Sequence, residues 1–332
     1  MRAGTGVERG ESNARAHAAP ESVRNLAIDR FRGVLVILMV GGDYLSGVRV
    51  VPALLKHAPD IGFTVADTVA SAFVFVIGLN YGTSFARRAR SGTAAAYRHF
   101  VVRYLALIGL GALVAGGAVV SGVPTDWGVL QALGVAGLIC LAVIRLPTWA
   151  RFAMGALMLI GYQYVLGLSM LSTVLHTVHG GLFGALSWAA LLVLSTAVAD
   201  VWRSGRAPYA ICCAALAVAA ALSAVVVPVS KNRVSLSFVL ITLAISALVF
   251  LAFEYGARFA PQGAGFFCWW GENALALYFL HLVILSLVVV PPAAWWYAEA
   301  PGWLAALQLI VILTVLSAVA WWMHRRGLRL GL

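Results

Sequence analysis

Apolar positions in this chain neither alternate with polar ones nor recur at the period of a surface helix; they run on. From about residue 33 to about 323 the sequence is a succession of apolar stretches of about 20 residues, separated by short polar connections. Ten such stretches are expected as spans, at about 33–51, 63–86, 99–121, 127–145, 148–167, 180–200, 208–228, 235–257, 267–290 and 302–323. A helix of about 20 residues crosses the hydrocarbon core of a bilayer. It also satisfies its own backbone groups where no water is available to do so. The expected fold is therefore all-α, a polytopic membrane protein of about ten transmembrane helices.

Gly and Pro punctuate the connections, at Pro52, Pro124, Pro147, Gly180, Pro208, Pro261, Pro291 and Pro301. No linker divides the apolar region, so residues 24–332 read as one transmembrane domain. The segment before it, 1–23, is rich in Gly, Ala, Ser, Arg and Glu, with neither an apolar stripe nor the core of a signal peptide. It is expected to be a disordered tail.

Composition strengthens the bilayer reading. Of 332 residues, 62% are hydrophobic and only 11% charged, against roughly a quarter charged in a soluble domain. The net charge of +11 would suggest nucleic acid in a soluble protein, but here the cations sit between apolar runs, and no nucleic-acid partner is expected. With both termini cytoplasmic, the inner segments hold 19 Lys and Arg residues, among them Arg32, Arg87, Arg88, Arg90, Arg98 and Arg103. The outer segments hold four: Arg49, Lys56, Lys231 and Arg233. That asymmetry is the positive-inside pattern. The four cysteines (Cys140, Cys212, Cys213, Cys268) fall in or beside apolar runs without metal-ligand spacing, so neither a disulfide nor a zinc site is expected.

The same orientation places Asp43, His57, Asp60, Asp67, Asp126, His176, His179, Lys231 and Asn232 at or near the outer face. Ionisable groups near the membrane core face a cavity or a partner. Asp43, about halfway along the first span, is costly there unless paired, and a histidine is the expected partner. His57 stands in the first outer loop, where a histidine is usually only solvated. His176 and His179 would share a face if helical, a spacing open to metal, although no third ligand is evident and a structural or solvated pair is the blander reading. His281 follows Gly271 by ten residues, roughly 15 Å along a helix, and a packing role suits a buried imidazole that must be hydrogen-bonded. The Arg cluster around the second inner loop suits phosphate, yet positive-inside bias alone also produces it.

Several segments taken in order resemble the transmembrane N-acetyltransferases typified by heparan-α-glucosaminide N-acetyltransferase, here as a bacterial member. Asp29, Arg32 and Gly33 are similar to an Asp-x-x-Arg-Gly segment that opens the first span. Lys56 to Gly78 resembles a loop histidine followed by a Thr-Val-Ala-Asp run and a Phe-Val-Phe-x-x-Gly span, placing His57 on the catalytic histidine and Thr64 to Asp67 on the run. Gly128 to Gly134, His176 to Trp188, Lys231 to Leu240 and Trp270 to His281 continue the resemblance to about residue 290. They bring in His176 or His179, then Asn232, Ser235 and Ser237, then Asn273, Tyr278 and His281. The chain departs from the pattern at Asp43, where the family often has Asn, and at Ala70, Ser71 and Ala72, where a Phe-Pro-Trp patch is common.

The resemblance implies an enzyme that moves an acetyl or other short acyl group from cytosolic acetyl-CoA (or another acyl-CoA) to an extracytoplasmic saccharide acceptor, an amino sugar or envelope glycan, at the cell membrane. His57 would be general base or acyl carrier, and Asp43 would orient it. Donor and acceptor would meet Asp67, His176, His179, Asn232, Ser235, Asn273, Tyr278, His281, Arg32 and Arg103. No metal is implied, and oligomeric state is left open between monomer and homodimer. Two rival readings stand beside it: a transporter or flippase for an envelope precursor, and an O-acyltransferase of the broader membrane acyltransferase superfamily. No internal repeat or interrupted span pair supports transport.

Overall fold

The computed structural model describes residues 25–120, 127–257, 259 and 265–329. The tail expected at 1–23, together with Arg24, Asp126 and Arg258, lies outside them. Among the described residues every regular element is helical. In chain order these are α1 (Leu26–Ser46), α2 (Val65–Ala89), α3 (Thr93–Val120), α4 (Val129–Val143), α5 (Thr148–Val165), α6 (Leu171–Leu175), α7 (Gly181–Ser204), α8 (Arg206–Val226), α9 (Leu236–Gly256), α10 (Phe266–Glu272), α11 (Ala274–Val289) and α12 (Gly302–Arg325). A π-helical turn at Leu166–Met170 carries α5 into α6.

Among the described residues, seven helical segments are long and apolar enough to cross a membrane: α2, α3, α5 through α6, α7 with its leading turn, α8, α9 and α12. The chain is an all-α, multi-pass membrane protein. The stretch expected as one span at 267–290 is instead α10 and α11, bent by 87°. The break falls at Asn273, whose φ of −122° and ψ of 35° leave the helical region. α4 has 15 residues and is therefore only about 22 Å long. α1 begins seven residues earlier than the apolar pattern suggests, because its first turns carry Asp29, Arg30 and Arg32. The Asn25 side chain caps it by accepting from the Ala27 N–H at 2.9 Å and the Ile28 N–H at 3.4 Å, which satisfies amides that would otherwise be orphaned.

α7 is the central post. Its residues from Trp188 to Ala199 are all buried, as expected for a helix that is apolar all round. α2 packs on it at Gly78, where a Cβ would run into Ser195. α1 and α10 approach just as closely through a reciprocal pair: a Cβ on Gly33 would strike the Phe267 carbonyl, and one on Gly271 the Asp29 carbonyl. Small residues at such crossings let helix backbones meet where lipid supplies no hydrophobic drive. One apolar core gathers the start of α1 with α2, α3, α4, α7, α8 and α9; a second gathers the rest of α1 with α10, α11 and α12. A cavity lies between them.

Candidate active site

His57 lies in the loop between the 3-10 turn Ala53–Leu55 and α2, and the start of α2 fixes its partner. Thr64 precedes the helix, and Asp67 stands at the third helical position, so the two form a capping box. Asp67 Oδ2 accepts from the Thr64 N–H at 3.1 Å, the Thr64 hydroxyl at 3.0 Å and the Ala58 N–H at 3.3 Å. With one oxygen held three ways, the other points at the imidazole: Oδ1 is 2.8 Å from His57 Nδ1. Asp67 is fully buried. A helix cap therefore doubles as the rigid support of a histidine.

Lys231 completes the group. Its Nζ is 3.0 Å from His57 Nδ1 and 3.8 Å from Asp67 Oδ1. The connection that carries it, between α8 and α9, is latched onto the His57 loop. Asp60 accepts from the Arg233 guanidinium and from the Ser230 hydroxyl at 2.8 Å. Gly62 N–H donates to the Val229 carbonyl at 2.9 Å, and the Asn232 amide donates to the Pro59 carbonyl. The hydrogen bonds from Arg233 hold the Asp60 carboxyl below its ordinary value, and Arg233 is raised in return. Burial pushes Lys231 below the ordinary lysine value, although the Asp67 and Asp43 carboxylates oppose the shift.

These groups line one end of a cavity of about 730 Å³. His57, Asp43, His179, Lys231 and Asn232 stand at that end; Arg32, Ser84, Arg103 and Glu272 line the other, with apolar walls such as Val69, Phe73, Ile77 and Leu133 in between. Arg32 is held by Asp29 Oδ1 and by the Gly271 carbonyl, each at 3.3 Å. Arg103 Nε is buried without a hydrogen-bond partner among the described residues, an arrangement suited to an anion. A sheltered, largely apolar passage with a proton-transfer group at one end and cations at the other can hold a long thioester and expose its acyl group to attack.

Most of the residues singled out from sequence converge here, but not in the expected pairs. The carboxylate on His57 is Asp67. Asp43 instead accepts from His281 Nε2 at 3.0 Å across the α1–α11 contact, because α11 sets that imidazole beside it. Tyr278 lines the cavity. His176 and His179 share no helix face: His176 Nδ1 is bonded to the Ser172 carbonyl at 2.6 Å, whereas His179 takes φ 54° in a 3-10 turn. His179 Nδ1 is buried without a partner among the described residues. Ser235 is not a cavity residue but the cap of α9, its hydroxyl accepting from the Phe238 and Ser230 amides at 3.3 and 3.1 Å. Asn273 sits at the α10–α11 break and donates to the Leu328 carbonyl at 3.0 Å, away from the cavity lining. Among the described residues, no three His, Cys, Asp or Glu side chains converge as a metal site. Lys231 had no place among the site residues read from sequence; its one signal was its position beside Asn232 in an outer connection similar to the family pattern.

Residues 24–180 match the family model described as heparan-alpha-glucosaminide N-acetyltransferase, catalytic. Over these residues, just under half of the chain, the sequence is similar to that family. The similarity supports the acyltransferase family expected from the sequence, and the apolar helices fit a membrane-bound member of it. The matched segment carries Arg32, Asp43, His57, Asp67, Arg103 and His179; Lys231, Asn232 and His281 enter the site from the remainder of the chain. No curated protein matches the chain.

Proposed function

We propose that the protein transfers an acetyl or other short acyl group from cytosolic acyl-CoA to an extracytoplasmic amino sugar or envelope glycan at the cell membrane, through about ten spans with both termini cytoplasmic. The observation that carries this reading is the continuous cavity joining Arg32 and Arg103 to His57. Guanidinium groups suit the phosphates of the donor, and the positive-inside distribution supports a cytosolic position for that end. The apolar middle suits a pantetheine arm, which brings the thioester beside His57.

With Nδ1–H donating to Asp67, Nε2 is the ring nitrogen left with a lone pair for substrate. In direct transfer the acceptor amine attacks the thioester carbonyl while Nε2 takes its proton, and the carbonyl oxygen becomes an oxyanion. The oxyanion collapses, the C–S bond breaks, and the imidazolium returns its proton to the departing thiolate. Asp67 holds the ring and stabilises its cation. In the alternative sequence Nε2 itself attacks, CoA leaves, and the acceptor displaces the acyl group from the histidine.

His57→Ala is expected to abolish transfer from labelled acyl-CoA while the detergent-extracted protein remains folded; retained turnover would remove His57 from the mechanism. Labelled acyl group recovered on the wild-type protein without acceptor selects the two-step sequence, and its absence selects direct transfer.

A further inference from the structure

A second imidazole stands at the His57 end of the cavity, outside the hydrogen bonds that join His57, Asp67 and Lys231. His179 lines that end with them, and its ring makes no hydrogen bond among the described residues. Nδ1 is sealed inside the protein, so the ring meets the cavity through its other edge, at Nε2.

The backbone holds the ring there. His179 has φ 54°, and Gly180 and Gly181 follow at 77° and 61°. A positive φ at a residue with a Cβ is unfavourable and persists where surrounding contacts over-determine it. Trp188 supplies two such contacts: its indole N–H donates to the His179 carbonyl at 3.2 Å, and its ring stands edge-on to the imidazole, centroids 6.1 Å apart. Gly184 lets the same carbonyl pack so closely that a Cβ would lie 2.8 Å from it.

The burial of Nδ1 also assigns the proton. A neutral imidazole carries one N–H. Buried N–H groups go without an acceptor less often than buried acceptors go without a donor, so the proton belongs on Nε2. The charged ring carries one on Nε2 as well. In either form a fixed N–H faces the cavity end where His57 offers a lone pair.

The chemistry proposed for that end requires a donor. When a nucleophile adds to the thioester carbon, the C=O π pair moves onto oxygen; it returns as the C–S bond breaks and the thiolate leaves. Between those events the oxyanion needs a preorganised hydrogen bond. Lys231 Nζ lies against His57 and Asp67, and the Asn232 amide donates to the Pro59 carbonyl. We propose that His179 Nε2–H is the hydrogen-bond donor to the thioester oxyanion. This deepens the proposed function and rests on it for the thioester. His179 transfers no proton in this step; its hydrogen bond strengthens as charge gathers on oxygen and relaxes as the thiolate departs.

Two CoA thioethers that cannot transfer an acyl group test the assignment. One ends in a methyl ketone; the other ends in a trifluoromethyl ketone, whose carbonyl carbon adds water to give an acidic tetrahedral hydrate. By titration calorimetry, the detergent-solubilised wild type is expected to bind the trifluoromethyl ketone at least about 100-fold more tightly. His179→Asn keeps a residue that tolerates positive φ but is too short to place a donor at Nε2. It is expected to weaken trifluoromethyl ketone binding about 100-fold, with methyl ketone binding unchanged within about threefold, and to lower kcat by a similar factor at constant KM. His179→Gln, whose amide reaches the Nε2 position, is expected to recover at least about tenfold of the lost affinity. If His179→Asn does not extract as folded protein, His179→Ala provides the same comparison. Equal binding of the two ketones by the wild type overturns the proposal, as does a preference that survives in His179→Asn. A preference lost in Tyr278→Phe but kept in the His179 variants overturns it in favour of the other donor on the cavity wall. Binding of neither ketone overturns the donor reading along with it. Loss of preference in His179→Asn, in a protein that acylates no saccharide, overturns the proposed acceptor and leaves this assignment standing.

Discussion

At the scale of single residues, the site rests on one carboxylate with two duties. Asp67 closes the first turn of α2 and, with its other oxygen, holds His57. Asp67→Asn is therefore expected to reduce kcat by about 100-fold or more, because an amide favours the wrong imidazole tautomer. The measurement is steady-state kinetics at saturating donor, with circular dichroism to show that the helices persist. Lys231 governs the alkaline side. Its value is lowered, so it loses its charge at a pH below the ordinary 10.5, and two carboxylates then face a developing oxyanion unopposed. Activity should thus fall along an alkaline limb beginning below 10.5, and Lys231→Arg should move that limb upward, because guanidinium stays charged. A pH–rate profile of the two proteins checks this; coincident limbs would exclude Lys231 as the titrating group. Sequence pointed to His57 and to an acidic partner but assigned Asp43 as that partner. Only packing shows that α11 presents His281 to Asp43 while the α2 cap presents Asp67 to His57.

Among the elements, the closest crossing positions Arg32. Gly271 supplies the carbonyl that holds Arg32, and its lack of a side chain lets α10 lie against α1. Gly271→Ala would drive a methyl into the Asp29 carbonyl, which is backbone and cannot swing aside. The expected cost is about 1–3 kcal/mol of stability, with a raised KM for acyl-CoA as Arg32 loses its seat. Thermal unfolding in detergent and donor saturation curves test both parts; an unchanged KM would detach Arg32 from donor binding. The α10–α11 break was not read from the sequence, since Glu272 and Asn273 interrupt the otherwise apolar stretch 267–290 only briefly. What divides it is Asn273, whose amide bonds the Leu328 carbonyl 55 residues away. The π-helical turn at Leu166–Met170 was equally silent, because π and α turns accept the same apolar residues.

For the whole molecule, polarity along the cavity predicts polarity across the membrane. In a background free of native cysteines, Leu54→Cys should react with a membrane-impermeant thiol reagent added to intact cells, and Ser91→Cys only after lysis. Both positions are exposed and stand in connections at opposite ends of α2. The reverse pattern would place His57 in the cytosol and defeat a transmembrane reaction. The Lys and Arg distribution alone carries this prediction, because insertion responds to the charge of short connections rather than to tertiary contacts.

The sequence by itself determined the solvent, the helical class and the likeness to transmembrane acetyltransferases. These follow from local quantities: apolar run length, charge between runs, and motifs contained in single segments. Tertiary structure alone decided which carboxylate serves which histidine, that Lys231 joins them, that Ser235 is a cap rather than a site residue, and that one cavity connects the arginines to His57. Those facts depend on residues from 10 to more than 200 positions apart, brought together by helix crossings whose register depends on glycines on both partners.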